Sequence, residues 1–586
     1  MNRLRGNGCL QKVTLTVASL ALTVAVAVAH RHPATSYELS IYAGTPAAFW
    51  VCLAACIALA TYAAFTAETG LQRIGLVLAG GSMLSVVALP IMRGYFYLGE
   101  SDSLTHLGRT RAMEQGLAAA GSIKYPVLHS FSVVTSAVTG IELPTAIMLF
   151  PLSAAVAFVL FFPLVVLRIS DSRGTFVVGT VAGLLLLPVD HLGSHLFPHP
   201  SSQAKLMLPF ALYVLYQKQY HTPVRAVTIA VVLSLFLIFF HPQVALFFLM
   251  LFTGTTAGRE LRRRLRGQSF AAATVYSEVL VFGMVWWLYI GRDRVFENMV
   301  GIATAYSETE LTFFGFLGSK RESVDAVNQG LSLLELVVNI YAIHLLFGLM
   351  TLGLLGYVAY RLATGRETPG LVVDLFAGTF AAGLLFVVLL ASALDADFVL
   401  RNVGFFAGLV AIFGAIAFGR TLERYDDRSS VRVLFAVGAV VLLLVSVSTV
   451  YHSERILRPS SQVSEATYDG FETTFEYQNS DTRMAGIRSM PFRYQYAIEG
   501  VGQRATLRYE QKTRASLENR TLTSSCASDY YFTTTRADYL QEVRLFNEFE
   551  ISKDDFRYLD RTSGLQKVVT TGEYELRQVH CQIEGR

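Results

Sequence analysis

The sequence predicts a polytopic α-helical membrane protein that ends in an extracytoplasmic domain of mixed α/β or β-rich structure. Three observations carry this reading. Hydrophobic residues make up 53% of the chain and charged residues only 16%, a balance that excludes a soluble multidomain protein. Apolar runs of about 20 residues, the length needed to cross a bilayer, recur from the N-terminus to Val450. Beyond Val450 the composition turns polar, with acids and bases nearly matched.

Placement of positive charge sets the orientation. The first run, about 11–29, lies behind Arg3, Arg5 and Lys12, which puts the N-terminus in the cytoplasm. Ala27-Val28-Ala29 before His30 also suits signal-peptide cleavage, and both readings leave 30–46 outside. Runs at about 47–66 and 72–92 follow, so the chain emerges on the outer side near Met92. The stretch 125–140 is apolar but short, carries His129 and several hydroxyls, and ends at Gly140. If it spanned, Arg168, Arg173 and the basic run from Arg259 to Arg266 would face outward. The excess of arginine and lysine in cytoplasmic loops therefore assigns 125–140 to the outer membrane surface. Runs at about 144–167, 175–189, 203–217, 224–240, 243–258, 270–291, 332–359, 371–392, 398–418 and 431–450 bring the expectation to about 13 spans. The chain then divides into N-terminal spans (1–92), an outer loop with juxtamembrane helices (93–143), a membrane bundle (144–450) and an outer domain (451–586).

The first outer loop holds a polar island between apolar runs, from Tyr95 to Arg109. Asp102, His106 and Arg109 recur at helical spacing, so a helix starting near Ser101 puts all three on one face. Ser101 or Asp102 is placed to cap it. Three more outer segments gather ionisable residues: Asp190 to Lys205, residues 292–331, and Asp395 to Asn402. Charges at a membrane boundary face a cavity or a partner, because facing lipid is costly. His241-Pro242-Gln243 marks one further outer turn. His191, His195 and His199 are spaced by four, as a metal-binding helix face would be, but Gly193, Pro198 and Pro200 oppose a regular helix there. A divalent metal is left open, and no other cofactor is called for. Lys205 suits either a snorkelling helix end or a phosphate contact. Arg401 opens an apolar span beside two aspartates and needs an anionic partner.

In the tail, Tyr530–Thr535 and the segment from Lys567 suggest strands, and Asn519-Arg520-Thr521 fits a glycosylation acceptor. Cys526 and Cys581 match no metal spacing, and an extracytoplasmic position permits a disulfide between them. Cys9, Cys52 and Cys56 sit in or beside apolar runs as small hydrophobes. Neither a phosphate-cradling glycine loop, nor a Ser-His-Asp order, nor a nucleic-acid patch is present.

The layout resembles the GT-C superfamily of integral-membrane glycosyltransferases, in particular its archaeal-type members. The likeness rests on Gly99-Glu100-Ser101-Asp102-Ser103-Leu104-Thr105-His106 in the first large outer loop. It rests also on the juxtamembrane stretch from Tyr125-Pro126 through His129 to Thr139-Gly140, on an arginine opening a late span, and on a soluble outer domain closing the chain. It covers about 93–450 as architecture and only the first loop as motif. The Asp-X-Asp form occurs only at Asp395-Ala396-Asp397, late in the chain. The resemblance implies transfer of a sugar from a polyprenyl-phosphate donor to a glycan, lipid or protein acceptor at the outer face of the bilayer. It implies Asp102 as general base, with His106 orienting it or binding the acceptor. Lys205 and Arg401 are candidates to hold the departing phosphate, with Arg109 behind them, and Tyr125, His129 and Asn402 are candidate substrate-binding residues. Two other classes compete. A transporter of a lipid-linked saccharide or an ion would use ionisable groups such as Glu278, Glu335 and Asp374 near span ends, although the two related halves common in transporters are not visible. A non-catalytic assembly or sensory protein would depend on the tail instead.

Overall fold

The computed structural model describes residues 2–170, 174–187, 195–217, 223–265, 281–291, 333–368, 370–393, 396–425, 429–478, 482–488, 490–500, 509–511, 516–517, 519–524, 526, 528–548 and 551–581. Asp190, His191, Glu278, the segment 292–331, Asp395 and the first half of the run 270–291 lie outside the described residues.

Among the described residues, nine helices are long and apolar enough to cross a membrane. They include Gly8–Arg31, Ala47–Thr66, Thr69–Val87, Leu143–Ser170, Asn402–Arg424 and Ser430–Val447. Three of the remaining expected runs are shorter helices, Gly174–Leu185, Leu208–Gln217 and Thr228–Phe240. The run expected at 203–217 is broken: Pro200–Leu206 ends at Met207, and a second helix begins at Leu208. Pro209 explains the break, since it has no N–H to offer the carbonyl four residues back, that of Lys205.

Asp374, near one end of helix Gly370–Ala393, is fully buried. It accepts from Arg262 Nη2 at 2.8 Å and lies 3.4 Å from Arg259 Nε. Two arginines of the basic run thus neutralise it, as a carboxylate buried in apolar surroundings requires.

The segment before the second span is tied to the first large loop. Glu38 takes Arg93 Nη1 at 2.5 Å and Nη2 at 2.7 Å, and the Tyr95 hydroxyl at 2.6 Å. Arg93 is 2% exposed, so this bidentate pair is a dry anchor. From there β1 (Tyr97–Leu98) pairs antiparallel with β2 (Gln462–Val463) of the tail. The tail folds around a five-stranded mixed sheet built from β3 (Arg483–Gly486), β4 (Tyr509–Gln511), β5 (Tyr530–Thr535), β6 (Leu565–Thr570) and β7 (Tyr574–Val579), in the order β4-β3-β5-β7-β6. Strands β4, β3 and β5 run parallel, while β5, β7 and β6 are antiparallel. Helices Glu465–Tyr477, Pro491–Glu499 and Lys553–Arg561 accompany the sheet, and Cys526 and Cys581 form a disulfide. Tyr37 fixes the tail from the other side, its N–H donating to Glu573 Oε1 at 2.8 Å and its hydroxyl to the Ser460 carbonyl at 2.9 Å.

Removing Glu38 strands a buried guanidinium. Glu38→Ala should cost roughly 3–5 kcal/mol of stability, read as a lowered thermal midpoint of the detergent-solubilised protein. An unchanged midpoint would show that the pair anchors nothing.

Candidate active site

The helix Asp102–Glu114 begins from an unusual loop. Gly99 has φ +132°, and a side chain there would collide with Ser103. Ser101 sits at φ +52°, ψ −117°, a region that costs a non-glycine residue of order 1–3 kcal/mol. Ser101 occupies the N-cap position without making a side-chain cap bond. The Tyr97 hydroxyl holds the turn, donating to the Ser103 carbonyl at 2.8 Å. Asp102 lies in the first helical turn, where the helix dipole favours a negative charge.

From this helix Asp102, Thr105, His106 and Arg109 line a cavity of about 180 Å³. Tyr125 lines it from the next loop, and His199, Pro200 and Ser201 from the start of helix Pro200–Leu206. His241 and Gln243 enter at a helix junction, Asn402 from a late span, and Arg493 from the tail. Arg493 Nη2 lies 2.9 Å from Asp102 Oδ1, and its Nη1 donates to Thr105 Oγ1 at 2.7 Å. The Asp102 side chain stays 44% exposed, so its carboxylate is open to a solute as well as to the arginine. Arg109 donates to the Tyr125 hydroxyl at 3.3 Å, and the Tyr125 ring lies 5.4 Å from that of His241.

The approach of the tail depends on Gly108. A side chain on Gly108 would run into the Tyr496 carbonyl, which belongs to the helix Pro491–Glu499 that carries Arg493. Arg111 secures the same seam, donating to the Ile498 carbonyl at 3.0 Å.

His106, in the cavity wall, is buried, and behind it lies a second buried imidazole, His129, with ring centroids 5.3 Å apart. The Thr110 hydroxyl donates to the His106 carbonyl at 2.8 Å and meets His129 Nδ1 at 2.8 Å. Its single proton is committed to the carbonyl, so His129 Nδ1 carries the hydrogen and donates to it. Among the described residues, His129 Nε2 and His106 Nδ1 have no hydrogen-bond partner. Loss of hydration holds His106 well below the usual imidazole range, with His129, His199 and Arg109 adding to it. The same cause, followed by Arg109, pushes His129 down to about 3. Both rings are therefore neutral at neutral pH. Glu100, two residues before Asp102, is exposed on one side and has protein packed around the other. Loss of hydration pushes it up to about 7, His452 opposing and Asp538 adding.

The remaining expected residues are dispersed. Lys205 is buried in its short helix, and its charge reaches His241. Arg401 lies in the first turns of helix Ala396–Arg424, with its side chain outside the described residues. His195 stacks on Phe197 at 4.4 Å, while His199 precedes Pro200 and meets Ser201 Oγ at 2.9 Å through Nδ1. The backbone from His195 to His199 is irregular, so the spacing of four puts no histidine face on a helix, as Pro198 and Pro200 dictate. No group of three or more histidines, cysteines or carboxylates among the described residues is arranged to hold a metal ion. Sequence reasoning did not select Arg493, Thr105, Ser201, His241 or Gln243. His241 and Gln243 shared the outer-turn signal that marked the others, whereas nothing in Pro491-Phe492-Arg493-Tyr494 points to Asp102.

No protein-family model and no curated protein matches the chain. Solved structures are similar to it at low identity. ArnT from Cupriavidus metallidurans bound to undecaprenyl phosphate is 14% identical, over 87% of this chain and 98% of that one, with a TM-score of 0.39. The Archaeoglobus fulgidus oligosaccharyltransferase in complex with Zn and sulfate is 14% identical, over 80% of this chain and 69% of that one, with a TM-score of 0.45. The archaeal oligosaccharyltransferase AglB from Archaeoglobus fulgidus, in complex with an inhibitory peptide and a dolichol-phosphate, is 13% identical over 85% and 74% of the two chains, with a TM-score of 0.43.

Two outcomes follow from this geometry. Gly108→Ala should loosen the docked tail, read as severalfold faster proteolytic release of residues beyond Val450; unchanged release would show that the seam tolerates a methyl group. The second concerns pH. A histidine whose folded pKa lies below its unfolded value loses stability as pH falls beneath the unfolded value. His129 should therefore cost about 1.4 kcal/mol for each pH unit between roughly 6.5 and about 3, and nothing above that window. Glu100, with its folded pKa raised, acts in the opposite sense between about 7 and 4.5. The diagnostic is accordingly a difference: His129→Asn, which keeps the donor to Thr110, should flatten the fall of the thermal midpoint between pH 6.5 and 5. Parallel curves would refute the buried neutral imidazole.

Proposed function

We propose that this chain is a multi-pass membrane glycosyltransferase. It moves a sugar from a polyprenyl-phosphate-linked donor to a glycan, lipid or protein acceptor on the extracytoplasmic face, with its N-terminus in the cytoplasm and its tail outside. The observation that carries the reading is the cavity in which a solvent-open carboxylate, Asp102, stands among fixed cations and hydrogen-bonding groups at the ends of apolar helices. A donor held in the bilayer by its prenyl chain has to present its phosphate at such a boundary.

In this reading an acceptor hydroxyl attacks the anomeric carbon while Asp102 takes its proton, because a hydroxyl is a poor nucleophile until a base assists. The bond from anomeric carbon to phosphate oxygen breaks, and its electron pair leaves with the phosphate. Arg109 and Arg493 stabilise that charge inside the cavity, and Lys205 and Arg401 support it from the neighbouring helices. His106, held neutral, orients the acceptor by hydrogen bonding. Tyr125, His199 and Asn402 shape the pocket around the sugar, and His129 fixes His106 from behind. For a divalent metal the described residues at the cavity wall include Asp102, His106, His199 and His241, but no three of them are grouped to hold an ion, so no step is derived through it.

Membranes containing the protein, supplied with labelled polyprenyl-phosphate sugars, should transfer label. Asp102→Asn at matched expression should reduce transfer by about 10²–10⁴-fold, the usual contribution of a positioned base. Full activity in the variant would remove Asp102 from that role.

A further inference from the structure

At the opposite end of the bundle is a second cavity, of about 340 Å³, walled by Phe65, Val178, Phe347, Met350, Phe418 and Phe435 among others. Its lining is almost wholly apolar, so it offers no grip to a polar solute. It is not closed by packing: Gly438 lines it, and a side chain added there would meet nothing within 4 Å. The helix Ser429–Val447 therefore leaves a gap where a neighbouring chain or lipid has room.

Two arginines lie beyond this apolar space on helices that wall it. On the helix Leu333–Ala363, residues Leu346, Met350, Tyr357 and Arg361 follow one another at intervals of four, seven and four, which keeps them on one face. Arg361 thus continues the cavity wall about 16 Å beyond Met350. Its Nη1 donates to the Tyr357 hydroxyl at 3.2 Å and its Nη2 to the Glu367 carbonyl, and its buried Nε has no partner among the described residues. Arg420, two residues past Phe418, is half-buried and lies within the electrostatic reach of Tyr357, Glu423 and Arg361. It makes no hydrogen bond or ion pair among the described residues, and the nearby Glu423 is turned to the backbone N–H of Gly174 at 3.2 Å. Two neighbouring guanidinium groups with unused donors form a site for a phosphate, which arginine binds with strong charge-assisted bonds. Asn402 at the candidate active site and Arg420 are on one helix, 18 residues or about 27 Å apart. That is close to one hydrocarbon thickness, so the arginines lie at the other membrane interface.

We propose that this end of the bundle binds an anionic phospholipid of the opposite leaflet, its phosphate on Arg361 and Arg420 and one acyl chain in the cavity beside Phe418. Charge complementarity selects this occupant. Basic groups between helices at a membrane interface recognise acidic head groups, and the adjoining apolar space accepts a chain that a soluble phosphate lacks. The site is separate from the proposed transfer reaction and does not depend on it.

The test is native mass spectrometry of the full-length protein in mild detergent, titrated with dioleoyl phosphatidylglycerol or dioleoyl phosphatidylcholine. One phosphatidylglycerol should be retained in preference to phosphatidylcholine. R361A/R420A should weaken phosphatidylglycerol about 30-fold, a factor of about five for each arginine, and leave phosphatidylcholine unchanged. R361K/R420K should keep most of the preference. Gly438→Leu, which fills the cavity, should weaken both lipids. If the double alanine variant does not fold, R420A alone carries the same test with a factor of about five. Equal retention of the two lipids, or undiminished phosphatidylglycerol in the alanine variants, would overturn the proposal. So would displacement of phosphatidylglycerol by equimolar glycerol 3-phosphate, which would identify a soluble-phosphate site instead.

Discussion

The near-contact of the Asp102 helix with the Tyr496 carbonyl is the constraint on which the candidate site depends. Only a residue without a side chain permits it, and Gly108 is that residue. Because the two helices meet there, Arg493 reaches both Asp102 and Thr105, and Arg111 reaches the Ile498 carbonyl. A cavity wall is thereby completed by a residue nearly 400 positions further along the chain. Without the close approach, Asp102 would face solvent with no cation opposite, and the first loop would lose the surface that holds it.

That loop is stabilised from several directions at once. Glu38 grips Arg93 before it, β2 pairs with β1 within it, and Tyr37 links the same region to Glu573 of the tail. Such redundancy is what a conformation like that of Ser101 needs, since a strained backbone persists only where its surroundings over-determine it. The strain lies immediately before Asp102, so the loop has little freedom to swing that carboxylate out of the cavity.

Much of this was legible in the sequence. Apolar runs announced the helical bundle, and spacing alone was enough to see that Asp102, His106 and Arg109 share a helix face. The strand at Tyr530–Thr535 was visible in its β-branched and aromatic run. Other features were hidden for physical reasons. Pro209 divides a run that hydropathy reads as continuous, because a missing N–H leaves apolarity unchanged. Asp374 looked like a group near a pathway until its partners, Arg259 and Arg262, were found more than 100 positions away. Arg493 was invisible for the same reason, its role being set by tertiary packing and by nothing in its neighbours. The histidines spaced by four illustrate the converse, a periodicity that two prolines prevent from becoming a helix face.

The buried state of His106 and His129 has a further consequence. Imidazoles are the groups that ordinarily give a polar cleft a charge that varies across the physiological pH range. Here both are kept uncharged, while the guanidinium groups of Arg109 and Arg493 at the cavity do not titrate under any condition a living cell meets. The positive charge that these two arginines bring to the cleft is therefore constant. Acidification that leaves the two rings neutral adds no cation at these positions, so the arginines' share of the cleft's hold on an anion does not change with pH.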